Sequence, residues 1–213
     1  MTYPKNRAQT LSRKLTTNDY EAWKVAELDD LWVFDKLIVA RKAGHICGPR
    51  GMRVPKPDFY ILRPICNFEG MGQGAYIDYL EFETVHIPHG YFWCEIFVGE
   101  HLSVDYRGFS PILSVLGTRD EEQPLQRFSR WEKTDSSCPL PQMLVRMCLR
   151  YQFINCEFVG NKLIEVHLRG NPDFAYGNTL MIPVWPGQST TPPKGFRFIA
   201  DTDEADRVGI FVN

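Results

Sequence analysis

Apolar spacing divides this 213-residue chain into segments of different character. Residues 1 to about 16 are polar and basic with few large apolar groups, which predicts a loosely attached arm. In "TTNDYEAWKVAELDDLWVFDKLIVARKAG" the apolar positions Trp23, Leu28, Leu31, Leu37 and Ala40 fit a helical period, with Thr17 or Asn18 as cap and Gly44 as the stop. The glycines and prolines of "CGPRGMRVPKPD" mark a loop, and "FYILRPI" after it is a short strand of the buried type. "AYIDYLEFETVHI" alternates as the next strand, "HGYFWCEIFVGEHLSVDYRG" gives a strand, a connection and a strand, and "SPILSVLGTRD" one more. "EEQPLQRFSRWEKTDSSCPLP" is loop-like with Phe128 and Trp131 as its strong apolar anchors, and "PQMLVRMCLRYQ" is helical with Pro141 in its first turn. "FINCEFVGNKLIEVHLRG" forms two strands around the turn "GNK", a hairpin. "PGQSTTPPKG" is a proline-rich loop before a last strand near "RVGIFVN".

The resulting order of helix, strands, helix and hairpin, with mixed antiparallel character, predicts an α+β fold rather than a doubly wound one. A hydrophobic fraction of 44% supplies a core for one domain or two small lobes. The net charge of −2 gives no electrostatic reason to expect nucleic acid or an anionic membrane as partner. No run approaches a membrane span and the first residues lack the apolar core of a secretory signal, so a cytoplasmic protein is expected. The six cysteines carry no C-x-x-C pair or zinc spacing and read as reduced, mostly buried thiols.

Three stretches carry candidate chemistry. In "LRPICNFEGMGQGA", Arg63 ends an apolar strand and Gly70, Gly72 and Gly74 follow on alternate positions. Backbone N–H groups of such a turn can cradle phosphate while the guanidinium clamps it, although a purely structural turn fits the glycines as well. In "EFVGNKLIEVHLR", Glu165, His167 and Arg169 alternate along one strand and share a face, with Glu157 on the partner strand. Two carboxylates and an imidazole there suit a divalent cation between phosphate oxygens; a solvated face with an exposed salt bridge is the plain alternative. In "CEIFVGEHLSVD" a strand, a glycine and a new strand form either a hinge that reads a flat ring, with Phe97 packed on it, or an ordinary connection.

Taken in order, these pieces resemble the ATP-grasp superfamily from about residue 33 to residue 175. "VFDKLIVARKAGHICGPRGMRVPKP" is similar to the family's D-K helix and the entry into its small lobe, and "YILRP" to its (val/ile)-x-K-P strand, with Arg63 in place of lysine. "EGMGQGA" occupies the glycine-rich lid, and "WCEIFVGEHLSVD" looks like the hinge segment, with His101 where a ribose-binding glutamate is usual. "CEFVGNKLIEVHLRGN" is similar to the closing metal segment, with His167 in place of asparagine.

The resemblance implies two mixed or antiparallel sheet lobes whose helices enclose a nucleotide cleft. The divisions are an N-terminal arm and helix (1–32), a small lobe with the lid (33–93), a large lobe with the metal hairpin (94–185), and a C-terminal loop and strand (186–213). It implies ATP and Mg2+, or Mn2+, as cofactors, with Lys36, Arg63, Gly70, Gly72, Gly74, Glu95, Phe97 and His101 on the nucleotide and Glu157, Glu165 and His167 on the metal. Arg63 and Arg169 would be catalytic, in a ligase joining a small-molecule or peptide carboxylate to an amine or thiol through an acyl phosphate. A non-catalytic nucleotide-binding or scaffold module and an ATP-dependent phosphotransferase are the other activities such a resemblance allows, and an unrelated β-rich binding protein stays open. Asn171 and Asp173, with Asn178, are candidates for an acceptor pocket, although loop hydrogen bonds are the commoner use of such residues. About thirty residues precede the match, fewer than the additional domain of such ligases, so either the substrate binds elsewhere or a partner protein presents it.

Overall fold

The computed structural model describes residues 19–66, 73–120, 122–201 and 207–213. Thr17, Asn18, Gly70 and Gly72, together with the 1–16 arm, lie outside the described residues.

The helical stretch breaks into three pieces: helix α1 (Asp19–Val25), a 3-10 turn (Leu28–Phe34) and helix α2 (Lys36–Lys42). The single long helix expected from apolar spacing is interrupted by its acids. Asp30 is buried in the tight turn and accepts hydrogen bonds from the Tyr151 hydroxyl at 2.8 Å and from Arg150 at 2.9 Å. Asp35 starts a new helix as its N-cap, accepting from the Ile38 N–H at 2.8 Å. Gly44 follows α2 at φ 78°, consistent with the stop.

Twelve strands follow among the described residues: β1 (Cys47–Pro49), β2 (Asp58–Pro64), β3 (Tyr76–Leu80), β4 (Tyr91–Cys94), β5 (His101–Arg107), β6 (Ser110–Thr118), β7 (Arg130–Lys133), β8 (Ile154–Val159), β9 (Lys162–His167), β10 (Leu180–Val184), β11 (Arg197–Ala200) and β12 (Gly209–Val212). They form a four-stranded sheet ordered β1-β4-β2-β3 and an eight-stranded sheet ordered β11-β12-β10-β7-β6-β5-β8-β9. Every pairing among the described residues is antiparallel.

Several segments differ from the sequence reading. Cys47–Pro49 is a strand rather than loop, and β7 arises inside the stretch read as a loop around Phe128 and Trp131. β10 and β11 have no counterpart in that reading, and β11 and β12 carry the larger sheet into the C-terminal segment. The stretch after Pro141 forms two 3-10 turns, Gln142–Leu144 and Met147–Leu149, rather than an α-helix. Its apolar period survives in the burial of Leu144, Met147, Cys148 and Tyr151. No helix among the described residues is long and apolar enough to cross a membrane.

Strand alternation creates the site. On β5, β8 and β9 one face supplies Leu102, Val104, Tyr106, Ile154, Cys156, Phe158, Leu163 and Val166 to a core closed by Ala22, Val33, Val39 and Leu144 from the helical segments. The opposite residues, Ser103, Asp105, Asn155, Glu157, Glu165 and His167, point the other way. They line the space between the two sheets with Ile61 and Arg63 of β2 and Cys94 of β4, except Asp105, which lies just beneath. A bulge in the β8–β9 pairing, which sets Glu157 opposite Glu165 but Phe158 opposite Leu163, puts Ile164 and Glu165 together on that wall.

Candidate functional site

The cleft encloses about 240 Å³ between the sheets. Glu157 and Glu165 face each other in register across β8 and β9. Glu165 is the anion of a buried triad: Lys36 Nζ, from the first residue of α2, lies 2.7 Å from its Oε1, and Arg63 Nη2 lies 3.3 Å from its Oε2. Arg63 also donates through Nη1 to the carbonyl of the bulge residue Ile164 at 3.0 Å. Lys36 Nζ has its charge partner but no aligned hydrogen-bond acceptor, which leaves donor capacity inside the cleft wall. The small sheet and α2 thus bring two cations onto a carboxylate of the large sheet, more than a hundred residues away in sequence.

The neighbouring groups form a second knot. His167 Nε2 lies 3.8 Å from Glu157 Oε1 and 3.9 Å from Glu165 Oε1, and its Nδ1 lies 2.9 Å from Asp19 Oδ1. Arg169 Nε and Nη2 reach the same Asp19 carboxylate at 3.1 and 3.0 Å, a bidentate pair. Burial opposes ionisation of Asp19, but Arg169 and His167 outweigh it and hold its carboxyl well below the usual range. Burial likewise opposes charge on His167, yet the Asp19 carboxylate prevails and raises the imidazole pKa. His101 Nε2 lies 3.1 Å from Glu157 Oε2. Against the effect of burial, the bond and charge of His101, then His167 and Lys36, bring Glu157 down to about 2.

The segment from Glu95 to Glu100 crosses from one sheet to the other, and Glu95, Ile96 and Phe97 line the cleft. The Glu95 carboxylate accepts from the Ile46 N–H at 2.8 Å, and Phe97 packs on His45 with ring centres 4.6 Å apart. His45 Nε2 reaches the Leu163 carbonyl at 2.7 Å, tying this crossing to β9. Gly99, at φ 135°, sits so close to the β8–β9 turn that a Cβ would lie 2.8 Å from Gly160 Cα. The far wall is aromatic: Phe128 and Trp131 are 4.3 Å apart between ring centres, both meet His101 edge-on, and Trp185 donates through Nε1 to the Phe128 carbonyl at 3.1 Å.

Asn171 and Asp173 border the same cleft but are committed to local structure. The Asn171 side chain caps a 3-10 turn (Pro172–Phe174) by accepting from the Asp173 N–H, while Asp105 accepts from the Asn171 N–H at 2.9 Å. Asp173 receives a bidentate pair from Arg207 at 2.8 and 2.9 Å. Asn178 is buried away from the cleft and donates to the carbonyls of Asp173 and Leu180. Gly74, the described member of the three glycines, has φ 79° and lies under the Tyr91 hydroxyl, where a Cβ would collide.

The sequence reading missed Asp19, Asp105, Arg207 and the wall of Phe128, Trp131 and Trp185. An acid in the first turn of a helix reads as a favourable dipole partner, and only the tertiary fold sets Asp19 against β9. The polar alternation of "HLSVDY" was the available signal for Asp105.

Among the described residues no group of three or more His, Cys, Asp or Glu side chains is arranged to hold a metal ion. The reason is visible in the partners. Both oxygens of Glu165 face cations and His167 turns Nδ1 to Asp19, so Glu157, Glu165 and His167 do not form a ready metal centre in this arrangement.

No protein-family model matches the chain. No curated protein matches it by sequence. Among solved structures, an ATP-grasp superfamily protein from Archaeoglobus fulgidus aligns with a TM-score of 0.48 at 13% identity over 85% of this chain and 64% of that one. The L-amino acid ligase from Bacillus licheniformis aligns with a TM-score of 0.50 at 7% identity, over 100% of this chain and 69% of that one. The chain has the ATP-grasp fold. An ATP-grasp ligase, PsnB, solved with a phosphomimetic variant of minimal precursor, Mg and ADP, aligns with a TM-score of 0.41 at 16% identity over 68% of this chain and 52% of that one. The chain therefore spans about half to two thirds of the length of these ATP-grasp proteins. The fold is α+β with two antiparallel sheets and few helices.

Proposed function

We propose that the cleft binds ATP and that the protein is a ligase joining a small-molecule or peptide carboxylate to an amine or thiol through an acyl phosphate. One observation carries this reading: Arg63, Glu157, Glu165, His167 and Arg169 line a single cleft of an ATP-grasp fold, with Lys36 of α2 buried behind its wall on Glu165. The crossing at Glu95–Phe97 supplies a flat apolar edge for adenine. His101, hydrogen-bonded to Glu157, offers an imidazole to a ribose hydroxyl if that bond is exchanged. Lys36 and Arg63 leave Glu165 for the phosphates and neutralise charge there, and Arg169, steadied by Asp19, faces the transferred group.

The cleft's volume falls below the roughly 300–1,000 Å³ of sites that enclose drug-sized ligands, so nucleotide entry requires the sheets to part. The Arg63–Glu165 ion pair and the Arg63 bond to the Ile164 carbonyl are contacts between the sheets that must break. Magnesium would supply charge neutralisation between phosphate oxygens. In the closed arrangement Glu165 is neutralised by Lys36 and Arg63 and is not free to hold a divalent cation. A partner protein presenting the acceptor, and a cytoplasmic location, belong to the same proposal.

The pairing of Glu165 with two cations and the lack of a ready three-ligand group among the described residues favour a second reading, a nucleotide-binding module without turnover. Isothermal titration with ATP, repeated with magnesium, manganese and chelator, separates them. Tight binding that needs a divalent cation supports the ligase, metal-independent binding supports the module, and no binding under any condition removes both.

A further inference from the structure

Outside this charge cluster, two cysteines face each other across the small sheet. Cys47 of β1 is the direct register partner of Cys94 of β4, so their side chains share a face. The kind of pair matters. The Glu95 N–H donates to the Ile46 carbonyl at 2.9 Å, which makes the neighbouring pair the hydrogen-bonded one and leaves Cys47 and Cys94 as a non-hydrogen-bonded pair. Pro49, without an N–H, occupies the equivalent place opposite Phe92 two residues along. In such pairs the Cα atoms approach to about 4.5 Å and the side chains come closest. That separation lies within the roughly 4.4–6.8 Å that a disulfide spans, so the strands need no shift to accept one.

The two thiols are unequal in a way that suits stepwise exchange. Cys47 is partly exposed, whereas Cys94 is buried and lines the cleft beside Ile61. A hydrogen bond from Cys94 lowers the Cys47 pKa, burial opposes this, and Arg41 adds to the lowering. The same bond and burial push Cys94 far up. Cys47 is therefore the thiol that ionises first and that an external reagent can reach.

We propose that Cys47 and Cys94 form a dithiol–disulfide site that reacts with low-molecular-weight disulfides. The Cys47 thiolate attacks one sulfur of the external disulfide, forming a mixed disulfide and releasing one small thiolate, which takes up a proton. Cys94 then gives up its proton and attacks the Cys47 sulfur, closing the Cys47–Cys94 bond and releasing the second small thiol. Two protein thiols are oxidised and one external disulfide is reduced to two thiols. The bond ties β1 to β4 where the chain enters the Glu95–Phe97 crossing, a place with no part in the charge cluster.

The test equilibrates the full chain, without oxygen, in buffers of reduced and oxidised glutathione at graded ratios. Free thiols are then quenched by alkylation and the peptides mapped by mass spectrometry. The expected result is one intramolecular bridge between the Cys47 and Cys94 peptides, reversed by excess reduced glutathione, with the other four cysteines still alkylated. Cys94→Ser is expected to trap glutathione on Cys47, and Cys47→Ser to leave Cys94 unmodified. Because the unaltered protein gives the primary readout, a variant that fails to fold does not decide the question. Alkylation of both Cys47 and Cys94 at every ratio, or bridges to other cysteines instead, would overturn the proposal.

Discussion

Replacing Glu165 with glutamine tests the electrostatic centre of the cleft. The side chain keeps its size but loses the charge that faces Lys36 at 2.7 Å and Arg63 at 3.3 Å, and all three side chains are at most 10% exposed. Two buried cations are then left without their anion. Breaking a buried pair by removing one partner costs about 3–5 kcal/mol, because the remaining charge can neither be solvated nor matched. A change of 1 kcal/mol moves the melting temperature of a chain this size by roughly 2–4 °C, so Glu165→Gln should melt roughly 6–20 °C lower. Glu157→Gln provides the contrast. Glu157 is 26% exposed and its nearest partner is His101, so a loss of about 1 kcal/mol is expected. The assay is thermal unfolding by circular dichroism with and without pyrophosphate, a polyanion that can replace the missing charge. Pyrophosphate should raise the melting temperature of Glu165→Gln more than that of the unaltered protein. A Glu165→Gln protein that melts within 2 °C of the unaltered one, and is indifferent to pyrophosphate, would show that Glu165 is not the anion holding Lys36 and Arg63.

Three further outcomes follow from neighbouring groups. Asp19→Asn leaves the Arg169 guanidinium without its carboxylate, and unfolding should show a loss of about 3–5 kcal/mol, while NMR titration of the variant shows a lower His167 pKa than in the unaltered protein. Urea unfolding across pH should give a plateau between about pH 4.5 and 6.5. The depressed Asp19 and Glu157 give stability that is present above their ordinary values of 3.8 and 4.5 and is lost as pH falls through their folded ones, about 2 for Glu157. The raised His167 gives stability that is complete below 6.5 and is lost as pH rises through its folded pKa. Asp105, raised by burial despite the Asn171 N–H, acts in the opposite sense to the other carboxylates and softens the acid limb. Gly117→Ala would set a Cβ 2.6 Å from Phe128 and 2.9 Å from Trp131, and overpacking of this kind should cost about 1–3 kcal/mol in a urea melt.

The sequence made some of this legible because strand alternation is a local signal. "IEVHLR" puts Glu165, His167 and Arg169 on one face by period alone, and the hairpin turn at Gly160 fixes which strand opposes it. The bulge that adds Ile164 to that face left no trace in the pattern. Lys36 and Arg63 were read as cleft residues through the family resemblance, but their engagement with Glu165 depends on the packing of α2 and β2 against β9. Glu165, a metal ligand by the resemblance, is in the structure the anion between two buried cations. The interrupted 19–42 helix is the clearest failure of periodicity. Asp30 and Asp35 sit at positions that an apolar count ignores, and their hydrogen bonds decide where helices stop and start. Asn171 and Asp173 show the opposite case, polar loop residues that border the cleft while their bonds hold a turn and Arg207.

In the proposed reading the space between the two sheets receives ATP on Lys36 and Arg63. Hydrogen exchange of the full chain with and without ATP locates the nucleotide directly. The account predicts slowed exchange at the start of α2, the end of β2, the Glu95–His101 crossing and the β8–β9 hairpin. Protection confined to other surfaces, or none at saturating ATP, would contradict it.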